Sequence, residues 1–171
     1  MIEKVQAMTK TSAATVPTIS DLDECAAMTV AEALKIILSD SYALYIKTKN
    51  FHWHVSGPYF RDYHLLFDEQ AGQILAATDA IAERARKTGN TTIRSIGDIA
   101  RHQTIKDNDA EFVTPQDMLG ELRADNLHMV ELLRRAKEVA DAAKDNATSG
   151  LIDTWTDEAE RRAWFLFEIS R

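Results

Sequence analysis

Three of the five histidines in this chain lie in the segment FHWHVSGPYFRDYHLLFDEQ, at residues 51–70. They are His52, His54 and His64, and Asp68 follows His64 by four residues. Imidazole nitrogens and carboxylate oxygens together form a suitable ligand set for iron or another first-row divalent ion. The segment therefore predicts either a metal site or a group of polar residues that hydrogen-bond within a helical protein.

Helical spacing separates the first two histidines. At about 100° per residue, His52 lies in line with Leu34 and extends the apolar stripe of a first helix, whereas His54 is rotated away by about 200°. His52 is therefore the candidate ligand and His54 is not. A single histidine on an apolar face is more often a hydrogen-bonded core residue, and this alternative stays open for His52.

The second helix carries two pairs of ionisable residues spaced four apart, His64 with Asp68 and Asp79 with Glu83. All four fall within a stripe of about 100°, on the side where Ile74, Leu75 and other apolar residues also cluster. Ionisable groups on a buried face are costly unless they are paired or bound to a metal. The pairs therefore favour a metal site, and the alternative for each acid pair is a solvated helix face.

The separation of these pairs bears on where a site forms. Residues 64 and 83 are 19 positions apart, or about 28 Å of helix, whereas the ligands of one metal lie within a few Å of each other. Two copies of the helix packed antiparallel about a twofold axis bring the first pair of one chain to the second pair of the other. The spacing therefore predicts a site shared between subunits.

The elements that hold these residues follow from capping and breaking signals. Residues 1–28 are rich in Thr, Ser and Ala without a sustained period and are expected to form a flexible tail. Thr29–Glu32 fits a capping box, which predicts a first helix from there to about Ser56, where Gly57-Pro58 breaks it. The remainder, residues 29–171, is expected to fold as one domain.

Three further helices and a short one complete this domain. A second helix is predicted from near Tyr59 to Lys87, a short one over Ser95–His102 and a third from the Thr114 cap to about Lys144. The fourth has an apolar stripe and ends near the C-terminus: Leu151, Trp155, Ala159, Ala163, Leu166 and Phe167. An all-α four-helix bundle with one long crossover, here carrying the short helix, has ferritin-like connectivity.

A di-iron centre inside a single bundle requires Glu-x-x-His motifs on two helices. No histidine of this chain has Glu three residues before it. The nearest mimic, Asp125 with His128, has no evident partner on another helix, and we interpret it as surface or bundle packing. His102 receives no functional role.

The segments KNFHWHVSGPYFRDYHLLFDEQ and DAIAERARKTG closely resemble the Dps family, the mini-ferritins named as DNA-binding proteins from starved cells. The resemblance covers about residues 30–171 and includes the His-Trp pair, the Gly-Pro turn and the D-x-x-A-E-R segment in order. It implies a hollow homododecamer that oxidises Fe(II), preferentially with hydrogen peroxide, and stores the ferric mineral. Zinc or manganese could use the same ligands.

The resemblance also implies site residues. The family's ferroxidase centre straddles a twofold interface, and its ligands match His52, His64 and Asp68 of one subunit with Asp79 and Glu83 of the other. Trp53 matches a tryptophan beside the centre that is thought to accept oxidising equivalents, and core packing is the alternative. Acids near threefold pores match Asp141, Asp145 and Asp153, although Gly150 replaces a common acid there, and solvated helix ends are the alternative.

Composition limits the other functions. The chain has 171 residues, a net charge of −7 and a pI near 5.2, so its surface attracts cations and repels DNA phosphates. Its single cysteine, Cys25, and the lack of a signal or membrane-spanning run predict a cytoplasmic protein. The alternatives are a nucleoid protein that binds DNA through Lys4 and Lys10 or a basic patch at residues 134–137, and a helical assembly protein whose metal site is inactive.

Overall fold

The computed structural model describes residues 20–171, and this part of the chain forms five helices and no strands. The helices are α1 (Glu24–His54), α2 (Phe60–Lys87), α3 (Ile96–His102), α4 (Pro115–Ala142) and α5 (Asn146–Ile169). α1 packs mainly on α2 and α4 mainly on α5, while α3 lies in the α2–α4 crossover against α1. The predicted all-α, ferritin-like architecture is confirmed. No helix within residues 20–171 is long and apolar enough to cross a lipid bilayer.

The start of α1 differs from the prediction. Asp23, not Thr29, caps the helix, because its carboxylate accepts hydrogen bonds from the amides of Cys25 and Ala26 at 3.0 and 3.1 Å. Thr29 lies inside the helix, where its hydroxyl donates to the Cys25 carbonyl. The helix therefore begins within the predicted tail, and residues 1–19 of that tail lie outside the described residues.

The turn between α1 and α2 follows the predicted signals. Gly57 has a φ of +104°, a conformation that side-chain-bearing residues rarely adopt, and α2 then begins at Phe60. Because this turn is tight, the last turn of α1 and the first turn of α2 lie side by side. At the start of α4, Thr114 accepts a hydrogen bond from the Asp117 amide, as predicted. α4 ends two residues early, at Ala142.

The core lies between the four long helices and is mostly aliphatic. Leu44, Phe67, Leu119 and Ile152, one from each helix, are fully buried. The buried stripe of α5 is narrower than predicted, because Leu151 and Phe167 are each 37% exposed. The members that remain buried are Trp155, Ala159, Ala163 and Leu166.

One polar network crosses the bundle interior. The Arg162 guanidinium donates from Nε to Asn126 Oδ1 at 2.8 Å, and Gln70 Nε2 donates to the Arg162 carbonyl at 3.2 Å. Burial lowers the pKa of Arg162 to about 10, although Glu158 opposes the shift. The guanidinium remains cationic at neutral pH, and a cation in the bundle interior repels a metal ion. This agrees with the lack of Glu-x-x-His motifs and disfavours a metal site beside Arg162.

Candidate metal centre

His52 and His64 form a reciprocal pair where α1 and α2 meet. Their ring centroids are 3.8 Å apart and the ring planes differ by 22°. His52 Nδ1 lies 2.8 Å from the His64 carbonyl oxygen, and His64 Nδ1 lies 2.8 Å from the His52 carbonyl oxygen. The tight turn at Gly57 thus brings together two histidines that are separated by twelve positions.

These hydrogen bonds fix the tautomer of both rings. A carbonyl oxygen only accepts, so each Nδ1 must carry the hydrogen. In a neutral imidazole the lone pair then resides on Nε2, which is the atom left to bind a metal. Nδ1 of His52 is therefore hydrogen-bonded, as the alternative interpretation expects. Nε2 of the same ring remains available as a metal ligand. The donor chemistry of the pair fits a metal ion.

Asp68 lies close to this pair but is held by a lysine. Its Oδ1 is 3.9 Å from His52 Nε2 and 2.7 Å from Lys49 Nζ. Hydrogen bonding and charge from Lys49 lower the pKa of Asp68, so the carboxyl is ionised at neutral pH. Sequence analysis missed Lys49, although its position three residues before His52 places it on the neighbouring turn of α1.

Trp53 is not a core residue of the single chain. Its side chain is 61% exposed, and the ring centroid lies 5.9 Å from Lys49 Nζ. The alternative of core packing is therefore wrong within one chain. The indole instead lies on the surface beside the histidine pair, with the ammonium near its face.

Asp79 and Glu83 lie toward the other end of α2 and are exposed, as is Asp68. The prediction that these acids share the buried side of the helix is wrong, because the acids are exposed and, of the two residues that marked that side, only Ile74 is buried whereas Leu75 is 40% exposed. The buried residues of α2 are the following: Tyr63, Phe67, Gln70, Ala71, Ile74, Thr78, Ile81 and Ala85. The acids belong instead to an exposed stripe that also carries large apolar side chains.

Within residues 20–171 of one chain, no three His, Cys, Asp or Glu side chains converge closely enough to hold a metal. The structure pairs His52 with His64 and places Asp68 Oδ1 3.9 Å from His52 Nε2, while Asp79 and Glu83 lie toward the other end of α2. Glu83 instead pairs with Lys87 at 3.0 Å, one turn further along α2. A single chain thus presents two separate parts of the predicted ligand set.

The acids predicted to line a pore have different environments. Asp145 is buried, caps α5 through the Thr148 amide and pairs with Arg84 Nη2 at 2.6 Å. Within one chain it has a structural role and its carboxylate is shielded from solvent, and its assignment to a pore stays a prediction. Asp141 accepts from the Ser149 hydroxyl at 2.6 Å, and Asp153 pairs with Lys137 at 3.0 Å.

We expect the stabilisation by Asp145 to disappear in acid. Burial raises the pKa of Asp145, but hydrogen bonds from Arg84 and Thr148 outweigh it, and the net pKa lies below the ordinary value of 3.8. A carboxyl with a lowered folded-state pKa stabilises the fold above its unfolded-state pKa, and this contribution is lost as pH falls through the folded-state pKa. Asp145→Asn should lower the free energy of unfolding at neutral pH by about 1–2 kcal/mol.

Urea unfolding of both proteins over a pH series measures this effect. The difference between wild type and Asp145→Asn should shrink as the pH falls below the ordinary carboxyl range, because the wild-type carboxyl is then protonated. Asp153→Asn is the control, since that exposed acid pairs only at the surface. A difference of constant size from neutral pH into acid would contradict the prediction.

The other predicted non-ligands have structural contacts. Asp125 pairs with Lys47 at 2.7 Å, and burial raises the pKa of Asp125 despite that pairing. His128 Nε2 lies 2.7 Å from the Thr104 hydroxyl, which connects α4 with the crossover. The interpretation of Asp125 and His128 as bundle packing is confirmed. His54 and His102 each use Nδ1 to contact a carbonyl of their own helix.

Comparisons with known proteins identify the family of this chain. The ferritin-like domain family matches residues 31–170. The chain is 33% identical over 130 residues to an uncharacterised low temperature-induced protein of Nostoc sp., covering 75% of this chain and 73% of that protein. It is 30% identical over 137 residues to the DNA protection during starvation protein of Brevibacillus brevis, covering 80% and 91%. The X-ray structure of Dps from Thermosynechococcus elongatus superposes with a TM-score of 0.82 at 27% identity, covering 85% and 92%.

The matched domain, residues 31–170, begins inside α1 and ends at the C-terminal end of α5. It contains most of α1, the other three long helices, the short crossover helix, the histidine pair and the acids of α2. One of these relatives, the DNA protection during starvation protein, and the superposed structure are both Dps proteins. The chain therefore belongs to the Dps family of ferritin-like proteins.

Proposed function

We propose that this protein is an iron-oxidising and iron-storing mini-ferritin whose metal centres are shared between two subunits. Its family supports iron storage and DNA protection in general terms. The observation that carries the proposal is the histidine pair, whose two Nδ1 atoms are both engaged and whose two Nε2 atoms are left to bind iron. The Asp68 carboxylate beside them adds an oxygen ligand.

The positions of the acids on α2 support sharing across a twofold axis. The four candidate ligands of α2 are arranged symmetrically about the midpoint between Gln73 and Ile74. His64 and Glu83 are equally far from this midpoint on opposite sides, and so are Asp68 and Asp79. Two α2 helices packed antiparallel about that midpoint would therefore bring each first pair to the partner's second pair, forming two equivalent centres.

The surface around this midpoint suits a second copy. Gly72 lies beside the midpoint, and a Cβ at that position would meet nothing within 4 Å in the single chain. Leu65, Leu75 and Trp53 are exposed on the adjoining surface, at 48%, 40% and 61%. A glycine on the surface of a helix allows a second helix to approach closely, because it has no side chain. Exposed apolar and aromatic side chains are typical of subunit interfaces.

The chemistry proposed is oxidation of iron as the substrate. Two Fe(II) ions, one H₂O₂ and two protons give two Fe(III) ions and two water molecules. Carboxylates stabilise Fe(III) more than Fe(II), and the two histidines supply neutral nitrogen ligands. Because both electrons reach peroxide in one event, hydroxyl radical is not released, and nearby DNA is protected. Trp53, which follows His52 in the chain and is 61% exposed, would accept stray oxidising equivalents.

A homododecamer with an internal iron store completes the proposal. Asp141 and Asp153 are the acids that would guide Fe(II) inward at a threefold pore, since focused negative potential concentrates cations. Their pairing with Ser149 and Lys137 leaves a weaker field than unpaired acids would give. We also propose that the particle is located in the cytoplasm.

Anaerobic addition of Fe(II) to metal-free protein, followed by peroxide, tests the function. Ferric absorbance should appear rapidly and co-elute with a large particle, and His52→Ala should slow the oxidation by at least about tenfold. His54→Ala is the matched control, because His54 lies two residues away and its Nδ1 contacts the Asn50 carbonyl of its own helix. Oxidation by wild type no faster than in buffer would refute the proposal.

A further inference from the structure

A small cavity lies between the four long helices of the bundle. Its volume is about 20 Å³, and residues of α1, α2, α4 and α5 line it. Most of the lining side chains are apolar, but three carry a hydroxyl group or a charge: Ser41, Glu158 and Arg162. A cavity holds a water molecule from about 10–15 Å³ upward, provided that polar groups line it. This cavity therefore has the size and the lining for one small polar particle.

Arg162 brings hydrogen-bond donors to the cavity that the rest of the bundle does not use. A guanidinium group has five N–H groups. The one on Nε donates to Asn126, whereas those on Nη1 and Nη2 donate to no acceptor within residues 20–171. The side chain is only 6% exposed, and buried donors without an acceptor are costly. The terminal nitrogens thus require an acceptor in the bundle interior.

Glu158 places the opposite charge beside the same cavity. It lies four residues before Arg162, so the two side chains share one face of α5. Burial lowers the pKa of Arg162 and the charge of Glu158 opposes this shift, but no hydrogen bond joins the two side chains. The Glu158 carboxylate has no hydrogen-bond partner in the described part of the chain either. The two charges therefore attract each other across the cavity without direct contact.

Ser41 limits what can occupy the cavity from the side of α1. Its hydroxyl donates to the Ile37 carbonyl at 2.8 Å, so its oxygen presents only lone pairs to other groups. An anion would face these lone pairs and the Glu158 carboxylate, and a metal cation would face the Arg162 guanidinium. A water molecule suits all three groups, because it can accept from the guanidinium and donate to the two oxygens.

We propose that this cavity binds one water molecule, which accepts from Arg162 and donates to Ser41 Oγ and to the Glu158 carboxylate. The water converts two separated charges into a water-mediated ion pair. Arg162 already contacts α4 through Asn126 and α2 through Gln70. The water adds α1 to this network, which then joins all four long helices. The site does not depend on the proposed iron chemistry.

Crystals of the assembled wild-type protein grown in sodium bromide test the site directly. The electron density should show one peak in the cavity, within hydrogen-bond distance of all three side chains and without the anomalous signal of bromine. An anomalous peak would show that the site takes an anion and would overturn the proposal. A cavity without density, or direct contact between Arg162 and Glu158, would overturn it as well.

Thermal unfolding of the assembled protein measures what the water contributes. Ser41→Ala should lower the unfolding midpoint by about 2–4 °C in wild type, and by less than about half as much in a Glu158→Ala background, where the water has already lost one acceptor. Ser39→Ala is the matched control, because Ser39 is also buried in α1 and donates to the Lys35 carbonyl at 2.9 Å, but does not line the cavity. It should lower the midpoint equally in both backgrounds. Equal losses for Ser41→Ala in both backgrounds would contradict a shared water.

Discussion

Particles assembled from equal amounts of His52→Ala and Glu83→Ala chains are expected to recover about a quarter of the wild-type rate of Fe(II) oxidation, although neither variant is active alone. In a mixed dimer, one centre combines both mutated residues and is inactive. The other combines the intact His52 of one chain with the intact Glu83 of the other. Random pairing makes half of the dimers mixed, and each of these has one working centre of two.

The hybrid experiment compares refolded mixtures with each variant refolded alone, using ferric absorbance after peroxide addition. A pairing of His52→Ala with Asp68→Ala is the matched control, because both ligands belong to the same side of the centre. Each centre of such a mixed dimer then lacks one of them, so this mixture should stay inactive. A centre contained within one chain would leave both mixtures inactive, and that result would contradict the shared site.

Replacement of Asp40 by alanine is expected to lower the free energy of unfolding by about 3 kcal/mol. Asp40 is fully buried in α1 and accepts hydrogen bonds from the amides of Thr104 and Ile105 and from the Thr104 hydroxyl, at 2.5, 2.9 and 2.6 Å. Alanine removes all three acceptor contacts and leaves the buried Ile105 amide without a partner. The crossover would then lose these three hydrogen bonds to α1 and keep the one from Asn50 to the Asn108 carbonyl.

Urea unfolding together with hydrogen exchange of the crossover amides measures this loss. Asp40→Asn is the matched variant, since one carboxamide oxygen still accepts from both amides, and it should cost only about 1 kcal/mol. Faster exchange should be confined first to the segment around Ile105, because that segment loses its anchor directly. Equal stability of the alanine variant and wild type would show that water replaces Asp40 without penalty.

Local sequence signals determined most of the secondary structure of this protein. The Gly57-Pro58 turn, the Thr114 cap and the Ser95 cap occur where short-range hydrogen bonds and backbone preferences require them. Asp23 and Thr29 can both cap the N-terminus of a helix, and the sequence alone does not show which of them lies just outside the first turn. The start of α1 was therefore predicted wrongly. The residue types and spacing on α2 also identified the candidate ligands.

Tertiary structure decided which of these residues meet. Periodicity gives the angular position of a side chain on its own helix, but not the element that covers that face. The stripe with Ile74 and Leu75 looked buried as a whole, whereas Ile74 is buried and Leu75 is 40% exposed. The position of Asp145 at a helix end predicts a solvent-exposed acid, whereas in the folded chain its carboxylate is buried and pairs with Arg84, which lies far away in the sequence.

The candidate centre itself divides in the same way. The sequence by itself determined that histidines and carboxylates lie on α1 and α2 at positions that suit a twofold axis. Only the folded chain decided that each histidine Nδ1 donates to the other's carbonyl and that Lys49 pairs with Asp68. These contacts depend on the close approach of two helices through a tight turn. No spacing within a single helix specifies that approach.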